Sequence, residues 1–296
     1  MQSSPSITER LANMPIWAVL VTIVVLLLIR CVLLKQKTPV TKSIAEIAES
    51  LAVAMGLVFL IIRPFIIQAF FIPSESMVPT LLKDDHIMVN KFIYRFREPA
   101  RGDVMVFRAP PEASDGVERD FIKRVIGIPG DEIRIEPGFV MVGDTEFKRP
   151  ELRELLSEKS YTGTVRIVSS KAVLVDGHVV TPEEIAAVAQ QPNDTVVIVP
   201  GRVFINGKPI KEPYLNEDAD DRYPGDTMWP SDQRKYVREG KDGKLVVKIP
   251  KGRLLMLGDN RNNSKDARYW GLLDRRRVLG KAMFIFWPLG RIRWLH

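Results

Sequence analysis

The sequence is poor in cysteine and histidine, and each shortage excludes a class of protein. Its 296 residues include one cysteine, Cys31, so no disulfide can form within the chain. The three histidines, His86, His178 and His296, are scattered and form no HExxH pair, which excludes a zinc hydrolase. Because no metal-ligand spacing is present either, we expect the protein to need no cofactor.

Signatures of nucleic-acid-binding proteins are missing as well. The net charge is +7, from 43 Lys and Arg against 36 Asp and Glu, but the basic residues are spread along the chain. No helix-turn-helix, zinc-finger or RRM signature accompanies them, so nucleic acid is not an expected partner. The same charge favours attraction to anionic head groups, and we expect membrane lipid to be a partner.

An apolar run lies near the N-terminus. Residues 14–29 are interrupted only by Thr22, and with a snorkelling Arg30 the run reaches the roughly 20 residues that cross a bilayer. A cleavable signal peptide is the alternative, but the run is longer than usual and no small-x-small site follows it. We interpret residues 1–42 as a first membrane helix with its cytoplasmic loop.

A second apolar run is less regular. Residues 51–62 are apolar or small, Arg63 and Pro64 interrupt the run, and residues 65–72 resume it with Gln68 inside. A buried helix followed by a strand is one interpretation. The combined length and the Gly and Pro content favour a second span, which we assign to residues 43–72.

The charge between the two runs predicts their orientation. Arg30, Lys35, Lys37 and Lys42 have no acidic neighbour before Glu46. By the positive-inside rule this loop is cytoplasmic, and both the N-terminus and everything after about residue 70 lie outside.

Short β-like runs bounded by Gly, Pro and Asp follow the second apolar run. They cover residues 86–90, 103–107, 121–128, 132–135, 202–205, 245–249 and 281–286. This pattern predicts a mainly β domain over residues 73–296. Helical signals are confined to residues 150–160 and 181–190, and residues 216–244 are expected to form a long exposed loop.

One internal echo is present. Residues 135–152 align without gaps to residues 198–215, with seven of 18 positions identical. Two similar strand-turn-strand units explain it, and one echo does not make a repeat protein. We interpret residues 136–198 as an insertion, for which a local duplication is one possible origin.

Two blocks carry candidate chemistry. Ser74 and Ser76 stand on a Pro-punctuated turn just after the second apolar run, and Lys123 is set in an apolar strand. A serine needs a base to become a nucleophile, and lysine is the known alternative where no His/Asp signature exists. Burial can lower the lysine pKa from its usual value of about 10.4. Arg124 would point to the opposite strand face and need an acidic partner, and each of these residues taken alone is more often structural.

A third block, the densely polar run over residues 258–271, completes a recognisable order of motifs. Five blocks carry the resemblance: residues 72–80, 101–107, 121–131, 206–214 and 258–271. Together with two membrane anchors, they make the chain resemble the type I signal peptidases, the membrane-bound bacterial leader peptidases. The resemblance implies a signal-peptidase-like β domain, a multi-pass protein of the bacterial inner membrane, and a catalytic domain on the extracytoplasmic side.

The resemblance also implies roles for individual residues. Ser76 would be the nucleophile and Lys123 the general base. Ser74 would join the Ser76 backbone N–H in the oxyanion hole, and Ser264 would orient the lysine amine. Supporting pairs would be Asp259 with Arg124 and Asp266 with Arg268. Shallow pockets for small substrate side chains at positions −1 and −3 would be lined by Phe70, Ile72, Leu81, Val106 and Ile122.

The chain departs from the family pattern at three positions. Glu75 stands where glycine is frequent and places a carboxylate beside the nucleophile. Asn262 replaces a frequent aspartate and Ala267 a frequent serine, and neither change touches a predicted catalytic role.

The expected function is that of a serine endopeptidase that removes signal peptides from exported preproteins through an acyl-enzyme. A membrane-anchored, non-catalytic peptide-binding relative is the main alternative, but Ser74, Ser76, Lys123 and Ser264 are all present. A self-cleaving Ser-Lys repressor of related fold is a second one. It would need a DNA-binding head where this chain has two apolar runs.

Overall fold

The computed structural model describes residues 15–36, 38–62, 66–114, 116–158, 161–169, 171–215, 217–225 and 231–295. Several residues cited above lie outside these ranges: residues 1–14, 37, 63–65, 159, 160, 216, 226–230 and 296.

Two long apolar helices begin the described chain. α1 spans Ile16–Leu34, and α2 spans Pro39–Gly56 and continues as a π-helix over Leu57–Ile62. By length and composition both could cross a membrane, with mean hydropathies of 2.9 for α1 and 2.1 for residues 39–62. Few of their side chains are buried by the rest of the protein, which fits lipid-facing helices better than core helices.

The two helices pack against each other through small residues. Ala45, Ala48 and Ala52 are buried on one face of α2, and side chains of this size let helices approach closely. Arg30 of α1 also pairs with Glu49 of α2 at 2.9 Å, so that two charges otherwise costly near lipid partner each other.

The second apolar segment ends earlier than the sequence predicts. Its helix stops at Ile62, and strand β1, Ile67–Phe71, pairs antiparallel with β2, His86–Asn90. The predicted boundary at residue 72 is therefore wrong. The backbone groups of residues 67–71 bond a neighbouring strand, so this apolar stretch belongs to the β domain.

The rest of the described chain is mainly β, as the sequence predicts. The further strands are β3 Val104–Arg108, β4 Asp120–Gly127, β5 Glu132–Glu136, β6 Phe139–Val142, β7 Thr145–Lys148, β8 Val165–Ser169, β9 Ala172–Val175, β10 His178–Val180, β11 Val196–Val199, β12 Arg202–Ile205, β13 Lys208–Pro209, β14 Val237–Glu239, β15 Leu245–Lys248, β16 Arg253–Leu257, β17 Leu273–Asp274, β18 Val278–Trp287 and β19 Arg293–Trp294. Short helices are α3 Arg149–Ser157, α4 Pro182–Val188 and α5 Ala267–Trp270.

One large sheet positions the candidate site residues. Its order is β1-β2-β18-β3-β4-β16-β17, with β19 paired to β18. Buried side chains from the β1–β2 connection, β2, β3, β4, β18 and the residue after β19 form a core beneath it: Ile72, Met77, Leu81, Ile87, Val89, Val104, Val106, Ile122, Ala282, Ile285 and Leu295. A second sheet, β13-β12-β5-β15-β14, takes in part of the predicted 216–244 loop.

The strands β6–β11, with α3 and α4, form a unit with its own core. Buried apolar side chains hold it together: Val140, Val142, Leu152, Leu156, Val165, Ile167, Val173, Val175, Val180, Ile185, Val188 and Ile198. Thr181 caps the N-terminus of α4: its hydroxyl accepts from the Glu184 N–H, and the Glu184 carboxylate accepts from the Thr181 N–H. This unit occupies most of the interval interpreted as an insertion.

The internal echo corresponds to a local two-fold arrangement. β5 pairs with β12, matching Ile135 to Val203, and β6 pairs with β11, matching Val140 to Ile198. The sequence alignment superimposes Ile135 on Ile198 and Val140 on Val203. Superimposing one unit on the other therefore carries the cross-strand pair Ile135–Val203 onto the cross-strand pair Ile198–Val140. The echoed units therefore cross each other, and Gly138 and Gly201 meet at the crossing.

Candidate active site

Ser76 lies on the loop between β1 and β2. Hydrogen bonds of 2.9 Å close this loop, from the Ile72 N–H to the Asp85 carbonyl and from the Asp84 N–H to the Ile72 carbonyl. The side chains of Ile72 and Met77 are buried in the core below. These contacts hold Ser76 at a defined place beside the sheet.

β4 places Lys123 and Arg124 on opposite faces, because successive side chains of a strand alternate. Lys123 is 4% exposed, and its Nζ lies 2.6 Å from Ser76 Oγ and 3.0 Å from the Ile122 carbonyl oxygen. The structure thus brings together the two residues that the sequence predicts as nucleophile and base.

Burial lowers the pKa of Lys123 to about 8. Loss of water disfavours the ammonium form, whereas the carboxylates of Asp266 and Asp259 favour it and act against the shift. Burial is the larger effect. Near pH 8, Lys123 is therefore a free amine in a sizeable fraction of the molecules, and a free amine can accept the proton of a hydroxyl.

Arg124 pairs with Asp259 on the other face of β4. Its Nε and Nη2 donate to the two carboxylate oxygens at 2.9 and 2.7 Å, and both side chains are buried. The guanidinium lies 3.9 Å from the centre of the Tyr214 ring, and Nη2 also donates to Thr80 Oγ1 at 3.2 Å. A bidentate pair is geometrically specific, so it fixes the loop after β16 relative to β4.

Asp266 organises the polar loop over residues 258–266. Its carboxylate accepts from Arg268 Nε at 2.9 Å and from the Gly258 N–H at 3.0 Å. Arg268 in turn donates to the Arg261 carbonyl. Because these buried charges are paired and hydrogen-bonded, the loop is held in one shape next to Ser76.

The two remaining predicted hydroxyls differ in their contacts. Ser74 Oγ lies 3.4 Å from Ser76 Oγ at the edge of the site. Ser264 Oγ is buried and has no hydrogen-bond partner within the described ranges, so the predicted bond to Lys123 is not formed in this structure. Ser264 nevertheless lies beside the dyad, since any side chain at Gly258 would meet both Ser264 and the Ser76 carbonyl.

The dyad opens onto a cleft of about 600 Å³. Of the five predicted pocket residues, Phe70, Ile72, Val106 and Ile122 line it. Leu81 does not. It is 0% exposed and packs in the core behind the cleft, so its prediction as a pocket residue is wrong.

Polar residues that the sequence did not single out also border this cleft: Arg119, Asp120, Asn263 and Lys265, next to Glu75. A larger cleft, of about 780 Å³, lies at the crossing of the echoed units and contains none of the site residues. Within the described part of the chain, no three His, Cys, Asp or Glu side chains are grouped to hold a metal ion.

Asn260 is a contact residue that the sequence reasoning missed. Its N–H donates to the Ser76 carbonyl at 3.1 Å and its Nδ2 to the Glu75 carbonyl at 3.2 Å. It therefore holds the backbone on either side of the Ser76 amide. The polar run over residues 258–271 could have indicated it, but nothing in the pattern distinguishes Asn260 from its neighbours.

Comparisons with known proteins show the family to which the chain belongs. The chain matches the family described as signal peptidase, peptidase S26, over residues 44–191 and 185–287. It is 30% identical to signal peptidase I from Leptolyngbya laminosa, covering 87% of this chain and 85% of that protein. It is 32% identical to signal peptidase I from Aquifex aeolicus, covering 82% and 83%.

Among solved structures, a signal peptidase I from Enterococcus faecalis V583 is 16% identical. The match covers 62% of this chain and 97% of that one, with a TM-score of 0.23 that carries no argument about shape. The family match and the sequence identities do not depend on it. The chain therefore belongs to the signal peptidase family, peptidase S26.

Proposed function

We propose that this membrane-anchored serine peptidase removes signal peptides from exported preproteins with Ser76 as nucleophile and Lys123 as general base. The observation that carries the proposal is the 2.6 Å separation of Lys123 Nζ and Ser76 Oγ at a buried site. The neutral amine takes the Ser76 proton as Oγ attacks the scissile carbonyl. It then protonates the leaving amine, and water hydrolyses the resulting ester by the same base.

Two donors stabilise the oxyanion in this proposal. One is the Ser76 backbone N–H, which donates to no other group of the described chain. The other is the Ser74 hydroxyl, 3.4 Å from Ser76 Oγ. Donors fixed in place before the reaction lower the energy of the developing charge without reorganisation.

Supporting residues hold Ser76 and Lys123 in position relative to each other. Arg124 and Asp259 tie β4 to the loop over residues 258–266, and Asp266 with Arg268 fixes the shape of that loop. Ser264 is the candidate to orient the Lys123 amine, because its buried hydroxyl has no other partner in the described residues and lies beside the Ser76 carbonyl.

The proposal includes a preference for small side chains at substrate positions −1 and −3, which the apolar lining of the cleft supports. Its apolar wall is made by Phe70, Ile72, Val106 and Ile122, the last three of them buried. Apolar walls of this kind would favour small apolar side chains at the two substrate positions.

A lipid surface fits the exposed apolar side chains of the catalytic domain. Large ones cluster on β1, β18 and the C-terminal segment: Phe71, Trp287, Leu289, Ile292 and Trp294. β1 follows α2 after a short connection, so this surface lies close to the proposed span. Aromatic residues of this kind favour the membrane interface, which would hold the cleft near substrates in the bilayer.

Cleavage of a preprotein with an Ala-x-Ala site by the purified full chain tests the proposal. The expected product begins immediately after the second alanine. Replacing the −1 alanine by leucine should abolish cutting at that bond, whereas the same replacement at −2 should be tolerated. Equal cleavage of the −1 leucine substrate would contradict the proposed pocket.

A further inference from the structure

The C-terminal segment over residues 288–295 has two different faces. Leu289, Ile292 and Trp294 are 68%, 58% and 65% exposed and form part of the apolar surface described above. The guanidinium groups of Arg291 and Arg293 instead reach the loop that carries Ser76. One short segment thus combines an exposed apolar face with two arginines that contact the Ser76 loop.

Arg291 holds the far end of that loop. Its Nε and Nη2 donate to the two carboxylate oxygens of Asp85 at 2.8 and 2.9 Å. Asp85 is 1% exposed and also accepts from the Leu82 N–H at 2.8 Å. A carboxylate buried this deeply needs its cation, so loss of Arg291 would force Asp85 and Leu82 to rearrange.

Arg293 contacts the same loop closer to Ser76. Its Nη2 donates to the carbonyls of Thr80 and Pro79. The Thr80 hydroxyl accepts from Arg124, whose neighbour in β4 is Lys123. Contacts from the C-terminal segment therefore reach the loop at two places and, through Thr80, the strand that carries the base.

We infer that Arg291 and Arg293 are positioning residues that hold the Ser76 loop in its reactive geometry from the C-terminal segment. The inference rests on the proposed role of Ser76. Displacing a reacting atom by about 1 Å can cost about 10²-fold in rate, even when the substituted residue is remote from the chemistry. Substrate binding would change little, because neither arginine lines the cleft.

Arg291→Leu in the full chain, assayed in phospholipid vesicles, tests the inference. We expect kcat to fall by about tenfold to 10²-fold, with KM changed by less than about twofold. Arg101→Leu is the matched control. It removes an arginine that also binds both oxygens of a buried aspartate, Asp131, at a site that does not contact the Ser76 loop.

Arg291→Lys keeps the charge but not the paired donors, and should recover part of the lost kcat. It also replaces Arg291→Leu in the test if the leucine variant does not fold. A wild-type kcat in the assayed variant, or an equal loss in Arg101→Leu, would overturn the inference. The Ser76→Ala variant distinguishes failure of this inference from failure of the proposed function. Activity retained by Ser76→Ala would contradict the assignment of Ser76 as nucleophile, whatever the result for Arg291→Leu.

Discussion

Lys123 and Arg124 are adjacent in sequence and have opposite electrostatic surroundings. Lys123 lacks a bonded carboxylate in the described structure, and burial lowers its pKa to about 8. Arg124 instead donates to the Asp259 carboxylate at 2.7 Å. The strand therefore presents a candidate base on one face and a structural ion pair on the other.

Lys123→Arg should be as inactive as Ser76→Ala, although it keeps a side chain that can carry a positive charge at this position. A guanidinium stays protonated at any working pH and cannot accept the serine proton. Initial rates of preprotein cleavage measure the effect. Lys248→Arg, at a half-buried position of β15 outside the cleft, is the control and should retain wild-type rates. Substantial cleavage by Lys123→Arg would contradict the dyad.

The pH dependence of kcat/KM should report the pKa of Lys123. The base acts only when neutral, so activity should rise about tenfold per pH unit below the pKa and level off above about 8. Activity rises with pH because protonation at lower pH removes the proton acceptor, and the lowered pKa places the end of the rise near pH 8. A profile that is flat through this range would exclude Lys123 as the titrating base.

Ser74→Ala should have a weaker effect than loss of either dyad residue. It removes one of two proposed oxyanion donors, and such a loss costs about 2.7–4 kcal/mol, or a factor of roughly 10² to 10³ in kcat. Ser114→Ala, which removes another hydroxyl of the catalytic domain, should leave kcat unchanged. A near-normal kcat for Ser74→Ala would show that Ser74 is only a turn residue and not an oxyanion donor.

At this scale the sequence predicted the residues better than their contacts. The resemblance to the signal peptidases pointed to Ser76, Lys123 and the Asp259 partner of Arg124, and strand alternation to the opposite faces of Lys123 and Arg124. Leu81 was misplaced, because the loop after Ser76 turns its side chain back into the core. Asn260 was missed, since its role depends on a backbone 185 residues away in sequence.

At the scale of secondary-structure elements, strand pairing shows where the second apolar segment ends, which hydropathy alone does not show. Residues 67–71 continue the apolar run with Gln68 as the single polar residue, but β1 bonds β2 and is part of the large sheet. Hydropathy averaged over a window of sequence does not distinguish a segment that lies in lipid from one that is buried in a protein core. The mainly β class was predictable because short runs and turn residues recur, whereas the crossing of β5–β12 with β6–β11 needs long-range pairing.

The crossing predicts a local stability effect. A methyl group at Gly201 would meet the Asp218 side chain and lie 2.8 Å from the Gly138 nitrogen. Gly201→Ala should therefore destabilise the fold by about 1–3 kcal/mol, measured by thermal unfolding. Gly290→Ala, where nothing lies within 4 Å, is the control and should be close to neutral. An unchanged unfolding temperature for Gly201→Ala would refute the tight crossing.

For the molecule as a whole, the topology is a prediction. The N-terminus and the domain after residue 70 should share the outer side, with the lysine-rich connection over residues 35–42 in the cytoplasm. Protease added to intact spheroplasts should digest the catalytic domain without permeabilisation. A domain protected until the membrane is opened would reverse the orientation, and Ser76 would then be separated from exported substrates.

The central claim is that Ser76 carries signal-peptide cleavage by this chain. The most direct test is the initial rate at which the purified full chain and its Ser76→Ala variant cut one preprotein with an Ala-x-Ala site. We predict product formation by the wild type and none above background by the variant, with both proteins showing the same unfolding temperature. Cleavage at the same bond by folded Ser76→Ala would contradict the account.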